Sequence, residues 1–208
     1  MNCRNQHPSG LRLIAVAGGI GSGKSVVSRI LRICGYEVYD CDSRARKLME
    51  NSEDIARGIA SDICPEAVLF HSSGLSIDRK ILAEAVFSDS QKLNRLNELV
   101  HKAVKDDIML WAGELALRGA TAAFVETAIL YASGLDKMVD EVWHVDAPEE
   151  VRISRAVARD SASAEHIRSR IQAQMATEST HRHPSVSIIY NDGIRPILPQ
   201  IESLLATL

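Results

Sequence analysis

No hydrophobic run in this chain of 208 residues is long enough to cross a membrane: the longest, Leu13 to Ile20, covers eight residues, where a spanning helix needs about 20. The first ten residues, MNCRNQHPSG, have no apolar stretch of the kind a signal peptide carries and read as a disordered leader. Cysteine is sparse. Cys3, Cys34, Cys41 and Cys64 show neither C-x-x-C nor zinc-ligand spacing, which argues against a zinc ribbon or a disulfide scaffold and points to free thiols in a cytoplasmic setting. A surplus of positive charge is missing too: 24 Lys and Arg stand against 27 Asp and Glu, a net charge of −3. General nucleic-acid binding needs a basic stripe, so it is not expected here. Internal repeats, low-complexity tracts and heptad runs are absent. His181 and His183 form an H-x-H with no third ligand nearby in the sequence, which reads as an exposed loop rather than a metal site.

What remains is a well-mixed globular sequence, 46% hydrophobic and 25% charged. Short apolar runs alternate with segments of helical periodicity. Leu13–Ala17, Glu37–Tyr39, Ala122–Val125, Glu141–Val145 and Ser187–Tyr190 read as strands, and the last helix covers Ile197–Leu205. Strands separated by helices imply an α/β fold with a parallel sheet flanked by helices. The section from 43 to 119 reads as mostly helical, with a polar turn at 71–74 and an amphipathic helix near Leu96–Leu117. It is too long for one crossover and is expected to be an inserted helical lobe. A single domain over 11–208 follows, with a core from about 11–42, 120–150 and 185–208.

The strongest motif is Gly18-Gly19-Ile20-Gly21-Ser22-Gly23-Lys24-Ser25, which fits G-x-x-x-x-G-K-[ST] between a strand and a helix. Glycines let successive N–H groups turn inward as an anion nest, and the helix N-terminus adds its dipole. Lys24 supplies a point charge for the β- and γ-phosphates, and the Ser25 hydroxyl can ligate Mg²⁺. Gly19, Gly21, Ser22, Gly23, Lys24, Ser25 and Val26 are therefore the expected nucleotide-binding residues. A phosphate loop does not name the reaction. The guanine-reading N-K-x-D of a GTPase switch and the L-S-G-G-Q of a transporter ATPase are both absent, which leaves a small-molecule kinase or a nucleotide-dependent switch without phosphotransfer.

Two features bear on that choice. Asp40 and Asp42 follow the second strand, at the end of an open α/β sheet where ligands bind. On an extended segment they share one side, so one could hold a Mg²⁺-bound water while the other accepts a hydroxyl proton. Asp42 could equally be a helix N-cap. Arg155 and Arg159 are four residues apart and so share a helix face. Guanidinium groups there could stack on adenine and pair with phosphates, or simply form a solvated basic face.

GGIGSGKS followed by Y-D-C-D-x-x-x-R resembles the dephospho-CoA kinase family. The likeness continues through Ile77-Asp78-Arg79 with Leu82, Val86 and Phe87, through Leu96-Asn97 with His101, and through Glu126–Tyr131. It extends over Arg155–Asp160, Arg170-Ile171 with Gln174, and Asn191-Asp192-Gly193. The resemblance implies ATP-dependent phosphorylation of the ribose 3′-hydroxyl of dephospho-CoA, giving CoA and ADP, with Mg²⁺, in a chain with a nucleotide core, a helical CoA-binding lobe over about 43–119 and a helical lid over about 151–184. It implies Asp42 as catalytic base and Asp40 as its support near water-bound Mg²⁺. Lys24 and Arg159 would act on the phosphates, Arg155 and Asn191 on adenine, and Arg46 and His101 on the acceptor. Of these, Arg46 also reads as an exposed helix charge, His101 as a buried hydrogen-bonded histidine and Asn-Asp-Gly as an ordinary turn. The implied partner is the small-molecule acceptor, with no nucleic acid and no membrane, in a monomer or weak homo-oligomer. Another nucleoside- or nucleotide-type P-loop kinase is the same-class alternative.

Overall fold

The computed structural model describes residues 10–71, 74–178 and 183–208. The chain divides into two compact units, one formed by residues 1–40 and 111–208 and the other by 41–110.

The first unit is built on five parallel strands: β1 (Arg12–Ala17), β2 (Val38–Asp40), β5 (Ala122–Thr127), β6 (Glu141–Asp146) and β7 (Val186–Tyr190), in the order β2-β5-β1-β6-β7. β1 lies at the centre, with Ala15 level with Val125 on β5 and Val142 on β6. The apolar runs read as strands because both sheet faces are covered. Ile14, Val16, Phe124, Trp143, Val145 and Ile189 pack on one face against Val27 and Leu31 of α1 (Lys24–Ile33) and Ile201 of α8 (Ile197–Leu205). The alternate residues Leu13, Ala15, Ala123, Val125 and Val142 are also buried. Phe124 sits at the centre of an aromatic group, 4.9 Å from Trp143 and edge-on to Tyr36 at 5.4 Å between ring centroids. A buried carboxylate at the start of β6 is fully provided for: Glu141 accepts from Trp143 Nε1, Ser187 Oγ and Arg12 Nη2. Two further helices complete this unit, α6 (Glu149–Asp160) and α7 (Ala164–Glu178), sharing a small core of Ile153, Ala156, Ile167 and Ile171.

The second unit holds α2 (Cys41–Asn51), α3 (Glu53–Asp62), β3 (Val68–His71), β4 (Gly74–Ile77), α4 (Arg79–Phe87) and most of α5 (Ser90–Leu117). Its core is Ile55, Ile59, Ile63, Val68 and Leu82, with Leu96 and Leu99 against it. The section is mostly helical, as expected, and it also carries two short strands on either side of the expected turn. Val68–His71 and Gly74–Ile77 pair as an antiparallel hairpin, Val68 opposite Ile77 and His71 opposite Gly74, while residues 72–73 lie outside the described residues. The segments are too short for period-2 alternation to stand out against their helical surroundings. α5 also begins earlier than its apolar pattern shows, because Asp89 accepts from the N–H groups of Gln91 and Lys92 and starts the helix on a polar stretch.

Among the described residues Cys34 is an exposed free thiol and Cys64 a buried one, Cys3 lying outside them. No described helix is long and apolar enough to cross a membrane. Replacing Phe124 by Ala removes the centre of the aromatic group. The expected result is a loss of about 3–5 kcal/mol of stability, read from the midpoint of urea unfolding; a loss below about 1 kcal/mol would place the core elsewhere.

Candidate active site

The glycine-rich loop leaves β1 at Ala17 and enters α1 at Lys24. Its carbonyls are held in place by donors, several of them side chains from distant segments. Lys24 Nζ donates to the carbonyls of Gly18 at 2.8 Å and Gly19 at 3.3 Å. Arg152 Nε donates to Ile20 O at 2.9 Å, and Asn191 Nδ2 to Ser22 O at 2.9 Å. Gly23 O accepts from the N–H groups of Val26 and Val27, the first of these at 3.0 Å. Because C=O and N–H point in opposite directions across a trans peptide, anchoring carbonyls decides where the following N–H groups point. Gly23 has to be glycine twice over. Its φ is 96°, and a Cβ there would come within 2.0 Å of Asn191 Nδ2.

The expected nucleotide-binding residues Gly19, Gly21, Ser22, Gly23, Lys24, Ser25 and Val26 are thus one continuous turn. The Ser22 side chain is buried, and its hydroxyl has no hydrogen-bond partner among the described residues. Ser25 and Val26 are exposed in the first turn of α1, whose leading N–H groups have no intrahelical acceptor.

Asp40 ends β2 and stands level with Glu126 on β5, which in turn is level with Val16 on β1. Two carboxylates therefore meet at the strand ends beside the loop. Burial raises the pKa of Glu126, and the negative charge of Asp40 adds to this; the Ser28 hydroxyl, Lys24 and Arg32 act in the opposite sense. Glu126 had no assigned role in the sequence. Its position at the end of an apolar strand, matching that of Asp40, is the signal that could have found it.

The pairing of Asp40 with Asp42 on an extended segment does not hold. α2 starts at Cys41, so the chain turns helical between the two aspartates and the period-2 argument lapses. Asp42 is not an N-cap either. It lies inside the first helical turn and is exposed, where its charge complements the helix dipole.

Arg155 of α6 and Asn191, which follows β7, come together: Arg155 Nη1 donates to Asn191 O at 2.9 Å, while the Asn191 side chain reaches the loop. Arg159, one turn further along α6, is exposed and paired with Asp160 at 2.7 Å. Arg170 joins the same carboxylate at 2.9 Å. With two arginines on it, Asp160 is pulled down to about 2. Three residues without an assigned role bear on the loop or on Lys24. Arg152 and Gln174 hydrogen-bond to the loop directly. His144, on β6, is half-buried; burial lowers its pKa, Asp146 opposes this, and Lys24 and Arg152 add to the lowering.

The two acceptor-side residues belong to the second unit. Arg46 is exposed on α2. His101 is half-buried on α5, its pKa lowered by burial and then by Lys105. Asp78 and Arg79, from the family-like stretch, have local structural tasks. Asp78 caps α4 by accepting from Lys80 and Ile81 N–H, and Arg79 pairs with Glu50. Of the H-x-H pair, His183 binds the carbonyls of Ser185 and Val139, and His181 lies outside the described residues.

The raised pKa of Glu126 has a sign that can be tested. The folded protein holds this proton more tightly than the unfolded chain does. The corresponding stability is present below the ordinary carboxylate range and is lost as pH rises through the folded pKa. Glu126→Gln is permanently neutral. Its melting temperature should match the parent's near pH 4 and exceed it at neutral pH, by a few degrees (~2–4 °C); a constant difference across this range would exclude the burial effect.

Comparison with known proteins covers nearly the whole chain. The sequence profile of the dephospho-CoA kinase family matches residues 12–195. A dephospho-CoA kinase of Porphyromonas gingivalis is 38% identical over 194 residues, 93% of each chain. One from Chlorobaculum tepidum is 36% identical over 94% of each. Among solved structures, a Thermus thermophilus protein superposes with a TM-score of 0.72 at 33% identity, covering 98% of this chain and 99% of that one. The dephospho-CoA kinase of Campylobacter jejuni has the same fold, with a TM-score of 0.64 at 23% identity over 95% of each chain. With the glycine-rich loop, the flanking strand and helix and the carboxylates at the strand ends all in place, the chain belongs to the dephospho-CoA kinase family.

Proposed function

We propose that this protein transfers the γ-phosphoryl group of ATP to the ribose 3′-hydroxyl of dephospho-CoA, releasing CoA and ADP. The observation that carries this reading is the loop Gly18–Ser25, whose carbonyls are tied to Lys24, Arg152 and Asn191 within a chain that matches the family from residue 12 to 195. Such a loop offers its N–H groups, the α1 N-terminus and the Lys24 charge to a polyphosphate.

Roles for the remaining residues follow from their chemistry. Lys24 stabilises charge on the transferring phosphoryl group, with Arg159 as the additional cation. Asn191 and Arg155, already bonded to one another beside the loop, suit the adenine end. Asp42 accepts the ribose proton as the new P–O bond forms, and Arg46 and His101 contact the acceptor. Phosphoryl transfer through a loose transition state asks the base mainly to orient the alcohol. Lowering of its pKa leaves His101 neutral at physiological pH, so it offers a hydrogen bond rather than a charge.

Mg²⁺ fits the donor set. Asp40 and Glu126 are neighbouring carboxylates at the strand ends, the charge of Asp40 adding to the cost of ionising Glu126, and Ser25 lies in the first turn of the adjacent helix. These are hard oxygen ligands, suited to a small divalent cation that keeps several of its waters. Ser25 would bind it through the hydroxyl, and Asp40 through water with Glu126 beside it. When bound, the ion would neutralise phosphate charge and draw Glu126 into its ionised form.

The test is ADP release with dephospho-CoA, compared with AMP, adenosine and no acceptor. Dephospho-CoA alone should support turnover; equal release without acceptor would indicate a nucleotide switch. On folded protein, Lys24→Ala should lower kcat/KM by at least ~100-fold. Asp42→Asn should retain ATP and acceptor binding by calorimetry while kcat falls by about 10²–10⁴. Full turnover in Asp42→Asn would move the base elsewhere.

A further inference from the structure

Both polar groups of Ile20, in the middle of the phosphate loop, are held by side chains of the α6–α7 pair. Its N–H donates to Gln174 Oε1 at 2.8 Å, and its C=O accepts from Arg152 Nε at 2.9 Å. These groups belong to two successive peptide planes. Fixing both planes fixes φ and ψ of Ile20. The second plane also carries the N–H of Gly21. With its C=O drawn toward Arg152, that N–H must point the opposite way.

Three observations bear on the same clamp. The Ile20 side chain packs into the core shared by α6 and α7, against Ile153, Ala156, Ile167 and Ile171. The far end of the Gln174 amide donates to the carbonyl of Ala128, just beyond β5. This use of both ends requires an acceptor and a donor on one side chain of that length, which glutamine has and glutamate or methionine lacks. Finally, the guanidinium of Arg152 closely approaches Gly19, where a Cβ would come within 2.1 Å of Nη2. That Nη2 is buried with no hydrogen-bond partner among the described residues. A side chain selected for packing alone would not bury a charged donor in this state.

We infer that Arg152 and Gln174 are positioning residues of the phosphate site, acting through the two peptide planes of Ile20 to aim the Gly21 N–H at the bound nucleotide. Neither side chain needs to touch the nucleotide. Their effect appears in nucleotide affinity and leaves the acceptor alone. This rests on the reading of Gly18–Ser25 as the nucleotide site.

The experiment compares the parent with Arg152→Met, Arg152→Lys, Gln174→Met and the Arg152→Met/Gln174→Met double variant. ADP binding is measured by calorimetry, KM for ATP and for dephospho-CoA by ADP release, and folding by thermal unfolding. Each methionine variant should weaken ADP binding and raise KM for ATP by about five- to tenfold, the size of one net hydrogen bond. KM for dephospho-CoA should stay within about twofold. Lysine at 152 can still donate to Ile20 O and should recover most of the loss. The double variant should lose little more than the worse single variant, because both act through one residue. Folded variants that bind ADP as the parent does would overturn the inference, as would equal rises in both KM values, failure of Arg152→Lys to recover, or additive losses. A parent protein that does not bind ADP would instead overturn the nucleotide-site reading itself.

Discussion

The molecule's chemistry depends on the direction of a few peptide groups between Gly18 and Gly23. A polyphosphate is bound by N–H groups only if the intervening carbonyls face away from it, since a carbonyl oxygen aimed at a phosphate repels it. Here that condition is met by Lys24 from the first turn of α1 and by donors brought from distant parts of the chain, Arg152 from α6 and Asn191 from just after β7. The parallel sheet makes this possible. β6 and β7 lie on one side of β1 and β5 on the other, so the segments leaving their carboxyl ends converge on the loop that leaves β1. Residues more than a hundred positions apart become hydrogen-bond partners.

The same convergence explains the charge distribution. Asp40 and Glu126 end adjacent strands, and Lys24 and Arg32 partly compensate them. Two half-buried carboxylates side by side destabilise a fold unless protons or cations accompany them. The divalent cation proposed above would offset that cost. On the opposite side of the loop, Arg152 and His144 are both discouraged from carrying charge by burial.

The second unit follows simpler rules. Its helices start where side-chain oxygens accept the first N–H groups: Ser52 for α3, Asp78 for α4 and Asp89 for α5. Arg44 and Asp107 tie α2 to α5 through two hydrogen bonds of 2.9 Å each. Asp78, which lies within the family-like stretch, caps α4 with one carboxylate oxygen accepting from both Lys80 and Ile81 N–H.

The sequence alone determined the architecture and the phosphate loop. Apolar runs such as Leu13–Ala17 and Ala122–Val125 can only be strands buried on both faces, and G-x-x-x-x-G-K-S between strand and helix leaves few structural options. These features are local, so composition and spacing reveal them. Tertiary structure decided the rest. Asp40 and Asp42 are separated by the start of a helix, which spacing cannot show. Glu126 joins Asp40 because β5 lies between β1 and β2, and strand order is not written in any one strand. The hairpin at 68–77 depends on pairing between two four-residue segments too short to show a period of their own. Arg152 and Gln174 reach Ile20 across 132 and 154 positions of chain. A hydrogen bond depends on position to within a fraction of an ångström, and only the packing of α6 and α7 on the sheet supplies that position.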